Sequence, residues 1–350
     1  MRVATMEGVK QPLVIRNLPD PKITPKGAIV RVEANGICRS DWHAWVGDWS
    51  WMGMELEFPH VLGHEFCGVI EEIGHEVERF AVGDRVLVPF SQGCGACEQC
   101  LNGYANVCEN GLAPGFEYWG GFGRLSHIPL ADLNLVSMPE TMTFVEGAGL
   151  GCRYMTAFHG LVDRAQVSAG EWVAVHGCGG VGLSAVQIAT ALGANVIAAD
   201  IDPAKLEFAA RIGAVETVLV EGADSAAAIQ EITKGGAHVA VDALGIRATC
   251  QSALNSLRHR GRHVQIGQTG QDEQGLIAFP IDVMIERELT VLASQGMQAS
   301  RYDAMLNMIE KGRLVPSELI TRTVPLEETG EVMASMDDYG TLGFCVIDRY

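Results

Sequence analysis

The sequence predicts an α/β protein of two domains, an irregular β-rich domain and a doubly wound parallel sheet, and three observations carry that expectation. A chain of 350 residues is long for one domain and suits two. Hydrophobic residues make up 48% of it, enough for substantial cores. The rhythm of the chain changes near residue 155, from short β-rich segments broken by Gly and Pro to a repeated strand, helix, strand alternation.

Ahead of that change, residues 27–34, 68–73 and 84–89 read as strands of an irregular all-β lobe. After it come six short apolar runs at 171–176, 195–199, 217–220, 238–242, 262–266 and 289–293, separated by stretches of helical composition. Such alternation implies a parallel sheet with helices on both faces. Residues 294–350 return to helix and strand without the alternation and are expected to fold back onto the first lobe. The expected domains are therefore 1–154 with 291–350, and 155–290.

Twenty-five Lys and Arg against 43 Asp and Glu give a formal net charge of −18, which repels phosphate backbones and argues against a nucleic-acid partner. No apolar run approaches the ~20 residues needed to span a bilayer, so no membrane association is expected. The stretch beginning Met1-Arg2-Val3-Ala4 has no apolar signal core, which predicts a cytoplasmic protein. The sequence carries no low-complexity tract and no internal repeat.

The densest chemistry lies in the first lobe. Cys94, Cys97, Cys100 and Cys108 follow one another as Cys-x2-Cys-x2-Cys-x7-Cys, a spacing that lets four thiolates surround one tetrahedral ion. Four protein ligands leave no open corner, so this zinc would be structural. A disulfide pair or a redox dithiol fits the same residues, but disulfides rarely persist in the cytosol. An iron–sulfur cluster also takes four thiolates; the mixed Cys and His set nearby suits zinc better. That second set is Cys38 with the triplet Gly63-His64-Glu65. Its members are far apart in sequence, so a shared ion depends on the fold, a pattern that suits a catalytic metal with a corner left for water or substrate.

In the second domain an apolar run, Trp172 to His176, enters Gly177-Cys178-Gly179-Gly180-Val181-Gly182 and then a helical stretch from Leu183 to Leu192. Alone, GxGxxG says little. Between a strand and a helix it reads as a dinucleotide-binding turn: Gly177 makes the tight turn, Gly179 lets backbone approach a pyrophosphate, and Gly182 packs helix on strand. Gly180 and Val181 complete that turn. Asp200 ends the next strand 18 positions after Gly182. Its carboxylate can accept from adenosine ribose hydroxyls and would repel a 2′-phosphate, which favours NAD over NADP. Lys205 is the only nearby cation. The plainer role for Asp200 is a helix N-cap, for which Asp202-Pro203 competes.

With these motifs in view, the sequence resembles the zinc alcohol dehydrogenases of the medium-chain dehydrogenase/reductase family over nearly its whole length. The likeness is carried by Gly63-His64-Glu65-x2-Gly68-x5-Gly74-x2-Val77, by Gly83-Asp84-Arg85-Val86 and by the cysteine loop. The resemblance implies a GroES-like catalytic domain plus a Rossmann cofactor domain, with the active zinc between them. It implies catalytic zinc ligands at Cys38, His64 and Cys152, and a nearby carboxylate, Glu65, that coordinates transiently. Cys152 lies in Gly151-Cys152-Arg153-Tyr154-Met155-Thr156-Ala157, where many polyol-type relatives carry an acidic residue, and Thr156 falls on the cofactor side. It also supports a proton relay from Ser40 through the cofactor ribose to His43 and solvent. Asp41 would orient His64, and Arg39 would pair with the pyrophosphate. Ser40 as a helix cap and His43 as a surface histidine are the plainer readings. The chemistry is consistent: hydride loss from an alcohol requires loss of its hydroxyl proton, which a bound cation makes easier near neutral pH.

The implied reaction interconverts alcohols with aldehydes or ketones. Trp42, Trp45, Trp49 and Trp51 crowd a 10-residue segment; Trp42 and Trp45 read as packing. The resemblance points to Trp49 and Phe90 as pocket walls, which would select hydrophobic primary or secondary alcohols by shape. Phe116, Tyr118 and Trp119 are further wall candidates. Where the family often has an Arg that meets the pyrophosphate, Thr341-Leu342-Gly343-Phe344-Cys345 offers none. Cys67, Cys178, Cys250 and Cys345 read as packing, and His60, His127 and His159 as structural. Family members are homodimers or homotetramers, and an edge strand at 289–293 would pair across a two-fold. The alternatives are a relative acting on polyols, amino-acid hydroxyls or formaldehyde adducts, and a non-catalytic zinc-stabilised binding protein.

Overall fold

The computed structural model describes residues 1–220, 225–337 and 339–350. The chain divides into two compact units, one of Met1–Met155, Gly296–Gly312 and Ile320–Tyr350, the other of Thr156–Gln295 and Arg313–Leu319.

The first unit is built on a seven-stranded sheet. Strand Ala28–Ile37 is its spine, antiparallel to Glu65–Ile73, to Leu125–Ile128 and to the last strand, Phe344–Arg349. Ala28, Val30, Val32 and Ala34 are fully buried, which orders the strand in the core between neighbours such as Phe66 and Ile70. Each such Val or Ile contributes about 1.5–3 kcal/mol on burial. The register sets Gly36 opposite Glu65 on one side and opposite Val346 on the other. Cys38 follows at the end of that strand and starts helix Arg39–Val46.

The second unit is a six-stranded parallel sheet in which Trp172–His176 and Ala237–Asp242 are the central pair. From Trp172–His176 the chain moves outward through Asn195–Asp200 and Glu216–Leu219, then returns to the other side through Ala237–Asp242, Leu257–Gln265 and Thr290–Ala293. The order reverses beside the carboxyl end of Trp172–His176, which is where ligands bind in open sheets of this kind.

All six apolar runs form strands of this sheet, with one difference of extent. The strand expected at 262–266 begins at Leu257 and then carries Arg258, His259 and Arg260 on exposed positions, so its first half has no apolar run. Residues 313–319, expected with the first lobe, belong to the second unit. There Val315 exchanges two hydrogen bonds with Gln187, at 2.9 and 3.2 Å, on helix Gly180–Ala191. Among the described residues, no helix is long and apolar enough to cross a membrane.

Candidate metal centre and cofactor turn

Among the described residues, two groups of metal-ligating side chains form in the first unit, each with its donor atoms within 4.8 Å of one another: Cys94, Cys97, Cys100 and Cys108; and Cys38, His64, Glu65 and Cys152.

The first group sits on a loop that the sequence could hardly fold by itself. Its regular structure is limited to Glu98–Leu101 and a 3₁₀ turn at Ala105–Val107. What shapes it is a set of backbone N–H groups aimed at sulfur: Cys97 N and Ala96 N donate to Cys94 Sγ at 3.4 and 3.5 Å, and Cys94 N and Asn110 N to Cys108 Sγ, both at 3.3 Å. The N–H groups of Ala96 and Cys97 pull the Cys94 thiol down to about 6, whereas burial pushes Cys108 up to about 12. None of the four forms a disulfide. A loop with this donor set fits a tetrahedral soft cation.

The second group is buried and is held by one carboxylate. Asp41, fully enclosed in the first turn of helix Arg39–Val46, accepts from Cys38 N at 3.0 Å, Gly63 N at 3.0 Å and His64 Nδ1 at 2.9 Å. One side chain thus fixes both the helix that carries Cys38 and the loop that carries His64. With Nδ1 bound to Asp41, the other ring nitrogen, Nε2, is buried with no hydrogen-bond partner among the described residues. An orphaned buried nitrogen beside two thiols is costly unless something coordinates it. The donors therefore fit zinc, with Asp41 setting the tautomer.

The local electrostatics agree. The neighbouring Cys152 holds the Cys38 thiol well below its ordinary range, against burial and with help from His64. Cys38 and burial in turn push Cys152 well above it. Burial opposes charge on His64, but Asp41 outweighs it and raises the ring well above the usual value. A divalent cation would take the place of those protons.

The residues expected around this centre fall at varied distances. Ser40 Oγ is 3.8 Å from Cys38 Sγ. His43 pairs through Nδ1 with Asp48 at 2.5 Å and stacks on Trp49 at 4.8 Å between ring centroids; burial lowers its pKa despite Asp48. Phe90 meets the His64 ring edge-on at 6.0 Å. Phe116, a wall candidate without a location in the sequence, lies 5.1 Å from His64 and 6.3 Å from Trp49, linking the two. Tyr118 is turned to Gln92 instead, and Trp119 packs in the core around Phe122. Trp45 is buried and donates to Gln11 O. Arg39 is sandwiched between the rings of Trp42, at 3.7 Å, and Tyr339, at 4.1 Å, and donates to Met336 O. His60, His127 and His159 bond to Gly115 O, Thr24 and Asp163.

One partnership had no sequence signal. Arg153, known only as part of the Cys152 segment, forms a buried ion pair with Glu65. The two are 88 positions apart, and no spacing rule connects them.

In the second unit, Gly177 has φ +88°, a left-handed conformation that favours glycine. At Gly182 a Cβ would fall 1.8 Å from Gly177 O, so the helix can approach the strand only there without a side chain. Around Gly179 the space is open: a Cβ there would meet nothing within 4 Å among the described residues. Helix Gly180–Ala191 starts at once, with Gly180 and Val181 in its first turn. Asp202, not Asp200, caps the following helix, accepting from Ala204 N at 2.9 Å. Asp200 accepts from Cys178 N at 2.6 Å and Asp202 N at 2.9 Å, which fixes its carboxylate at the end of the strand beside the glycine turn. Lys205 and Thr156 are buried.

Known proteins match both units. The alcohol dehydrogenase GroES-like domain matches residues 24–140 and the zinc-binding dehydrogenase domain residues 180–311. An alcohol dehydrogenase of Geobacillus stearothermophilus is 33% identical over 96% of each chain. A sorbitol dehydrogenase of Bacillus subtilis is 30% identical over 95% of this chain and 92% of its own. Among solved structures, the alcohol dehydrogenase TADH from Thermus sp. ATN1 has a TM-score of 0.89 at 29% identity, over the full length of both chains.

Proposed function

This chain belongs to the zinc-containing alcohol dehydrogenase family, and we propose that it transfers a hydride between a hydrophobic primary or secondary alcohol and NAD. The observation that carries the reading is the buried set Cys38, His64 and Cys152 with its orphaned His64 Nε2. These three would hold a zinc ion, which supplies a Lewis acid that lowers the pKa of an alcohol hydroxyl. The four-cysteine loop would hold a second, structural zinc.

The chain's own residues do the rest. Asp41 accepts from His64 Nδ1, so Nε2 would be the atom free to coordinate. Ser40 Oγ, beside Cys38, would accept the hydroxyl proton as it passes its own onward. His43 would receive it on Nε2, because Nδ1 is held by Asp48. Burial keeps that ring neutral and ready to accept near pH 7. Trp49, Phe90 and Phe116 supply aromatic surface that excludes water and selects by shape. On the cofactor side, Gly177, Gly179 and the N-terminus of the helix from Gly180 to Ala191 suit a pyrophosphate. The fixed carboxylate of Asp200 suits ribose hydroxyls and opposes a 2′-phosphate. Lys205, Thr156 and Arg39 complete the proposed cofactor contacts.

Steady-state kcat/KM over aliphatic, aromatic and polyhydroxy alcohols, each with NAD and NADP, tests this reading. Apolar alcohols with NAD are expected to exceed sorbitol, and NAD to exceed NADP, by at least about tenfold. A preference for polyols would overturn the substrate class; a preference for NADP would overturn the role of Asp200.

A further inference from the structure

Glu65 stands among the metal donors, yet both of its oxygens are already occupied by one neighbour. Oε1 accepts from Arg153 backbone N and from Nε, both at 2.9 Å; Oε2 accepts from Nε at 3.0 Å and from Nη2. A carboxylate offers about four lone-pair sites, and Arg153 turns three N–H donors on them, with the single Nε–H shared between both oxygens. The pair is dry, with the side chains 6% and 0% exposed.

The seat of this pair is built by other parts of the sheet. The guanidinium carbon lies 3.9 Å from the centroid of Phe344, the residue that begins the last strand. At Gly36, which faces Glu65 in the register, a Cβ would come within 2.3 Å of Glu65 Oε2 and 2.9 Å of Arg153 Nη2. A side chain at 36 would therefore displace the pair. The charges also call for it: two thiolates, Glu65 and the Asp41 that holds His64 carry four negative charges, and a divalent cation and Arg153 carry three positive ones, so Arg153 offsets charge that the cation alone leaves uncompensated. Without Arg153, the excess negative charge of a dry site is left with the cation as its nearest partner.

We propose that Arg153 is a positioning residue that withholds Glu65 from the metal, so that the centre keeps three protein ligands and an open corner. The proposal rests on zinc being held by Cys38, His64 and Cys152. Released from Arg153, Glu65 becomes a fourth ligand and closes the site.

The test is the rate of zinc release to a chelator, with the visible spectrum of the cobalt-substituted protein, in wild type, Arg153→Met, Glu65→Gln and the double variant. Arg153→Met is expected to release the zinc of this site at least about tenfold more slowly than wild type and to change the cobalt spectrum. The double variant is expected to return both readouts to those of Glu65→Gln. A purely structural Arg153 would act alike in both backgrounds. Release that is unchanged or faster in Arg153→Met, or slowed equally when residue 65 is Gln, overturns the proposal. If Arg153→Met does not accumulate folded, Arg153→Lys, which keeps the charge but cannot grip both oxygens, is read against the same two outcomes. A wild-type zinc content that Cys38→Ser leaves unchanged overturns the metal reading itself, and this is visible before any variant of Arg153 is measured.

Discussion

His176 ends the central strand of the second unit, directly before the glycine turn, and is 2% exposed. Its ring meets Ser225 Oγ from Nδ1 at 3.3 Å and Ser256 Oγ from Nε2 at 3.4 Å. Ser256 Oγ gives its proton to Ala253 O and so accepts from Nε2–H, which leaves Nδ1 to accept from Ser225 Oγ, and the neutral ring is satisfied in that tautomer. Burial, with His263 adding repulsion, lowers its pKa to about 3. An unfolded histidine titrates near about 6.5. Between those two values the unfolded chain binds a proton that the folded chain refuses. The stability this confers is complete above about pH 6.5 and is lost as pH falls toward 3, at up to about 1.4 kcal/mol per pH unit. His176→Gln should therefore flatten the acid limb of unfolding free energy measured by urea titration across that window. Parallel curves for variant and wild type would show that His176 does not carry it.

At the scale of elements, the two cysteine-containing sites make different demands on the chain. The loop of Cys94 to Cys108 has little buried surface, and its backbone bonds, such as Leu101 N to Cys97 O and Tyr104 N to Gln99 O, close only local turns, so a cation there is a fold-holding group. Cys38 instead caps a helix whose start is already tied by Asp41. Cys100→Ser is expected to lose one zinc and lower Tm by several degrees; Cys38→Ser should lose one zinc and all turnover with little change in Tm. Equal falls in Tm would contradict this division. The same contrast explains what could be read from the sequence. The cysteine loop and the glycine turn are local, so spacing displays their geometry directly. Cys38 and His64 were legible as candidates, but their meeting depends on Asp41 reaching both. Glu65 with Arg153 joins a strand to a helix, and Phe116 against His64 joins a turn to the loop before a strand, so both are tertiary contacts that leave no spacing signal. The strand from Leu257 hides its start in Arg and His, and residues 313–319 meet the second unit through hydrogen bonds to Gln187 that no spacing displays.

For the whole molecule, the distribution of sites predicts how stability responds to ligands. Both donor sets lie within the first unit, whereas the glycine turn and Asp200 lie within the second. Each unit has its own sheet and its own buried core. A ligand that binds only the native form stabilises the unit that holds it, by about 2.7 kcal/mol at a concentration a hundred times its Kd. Scanning calorimetry should therefore resolve opposite effects: chelation lowers the transition of the first unit, and NAD raises that of the second. The cofactor effect should persist in Cys38→Ser, because no residue of the glycine turn contributes to the metal set. If NAD failed to protect the zinc-depleted variant, cofactor binding would require the first unit's metal beyond the Gly177 turn, Asp200 and Arg39, and the proposed independence of the cofactor contacts from the metal would fall.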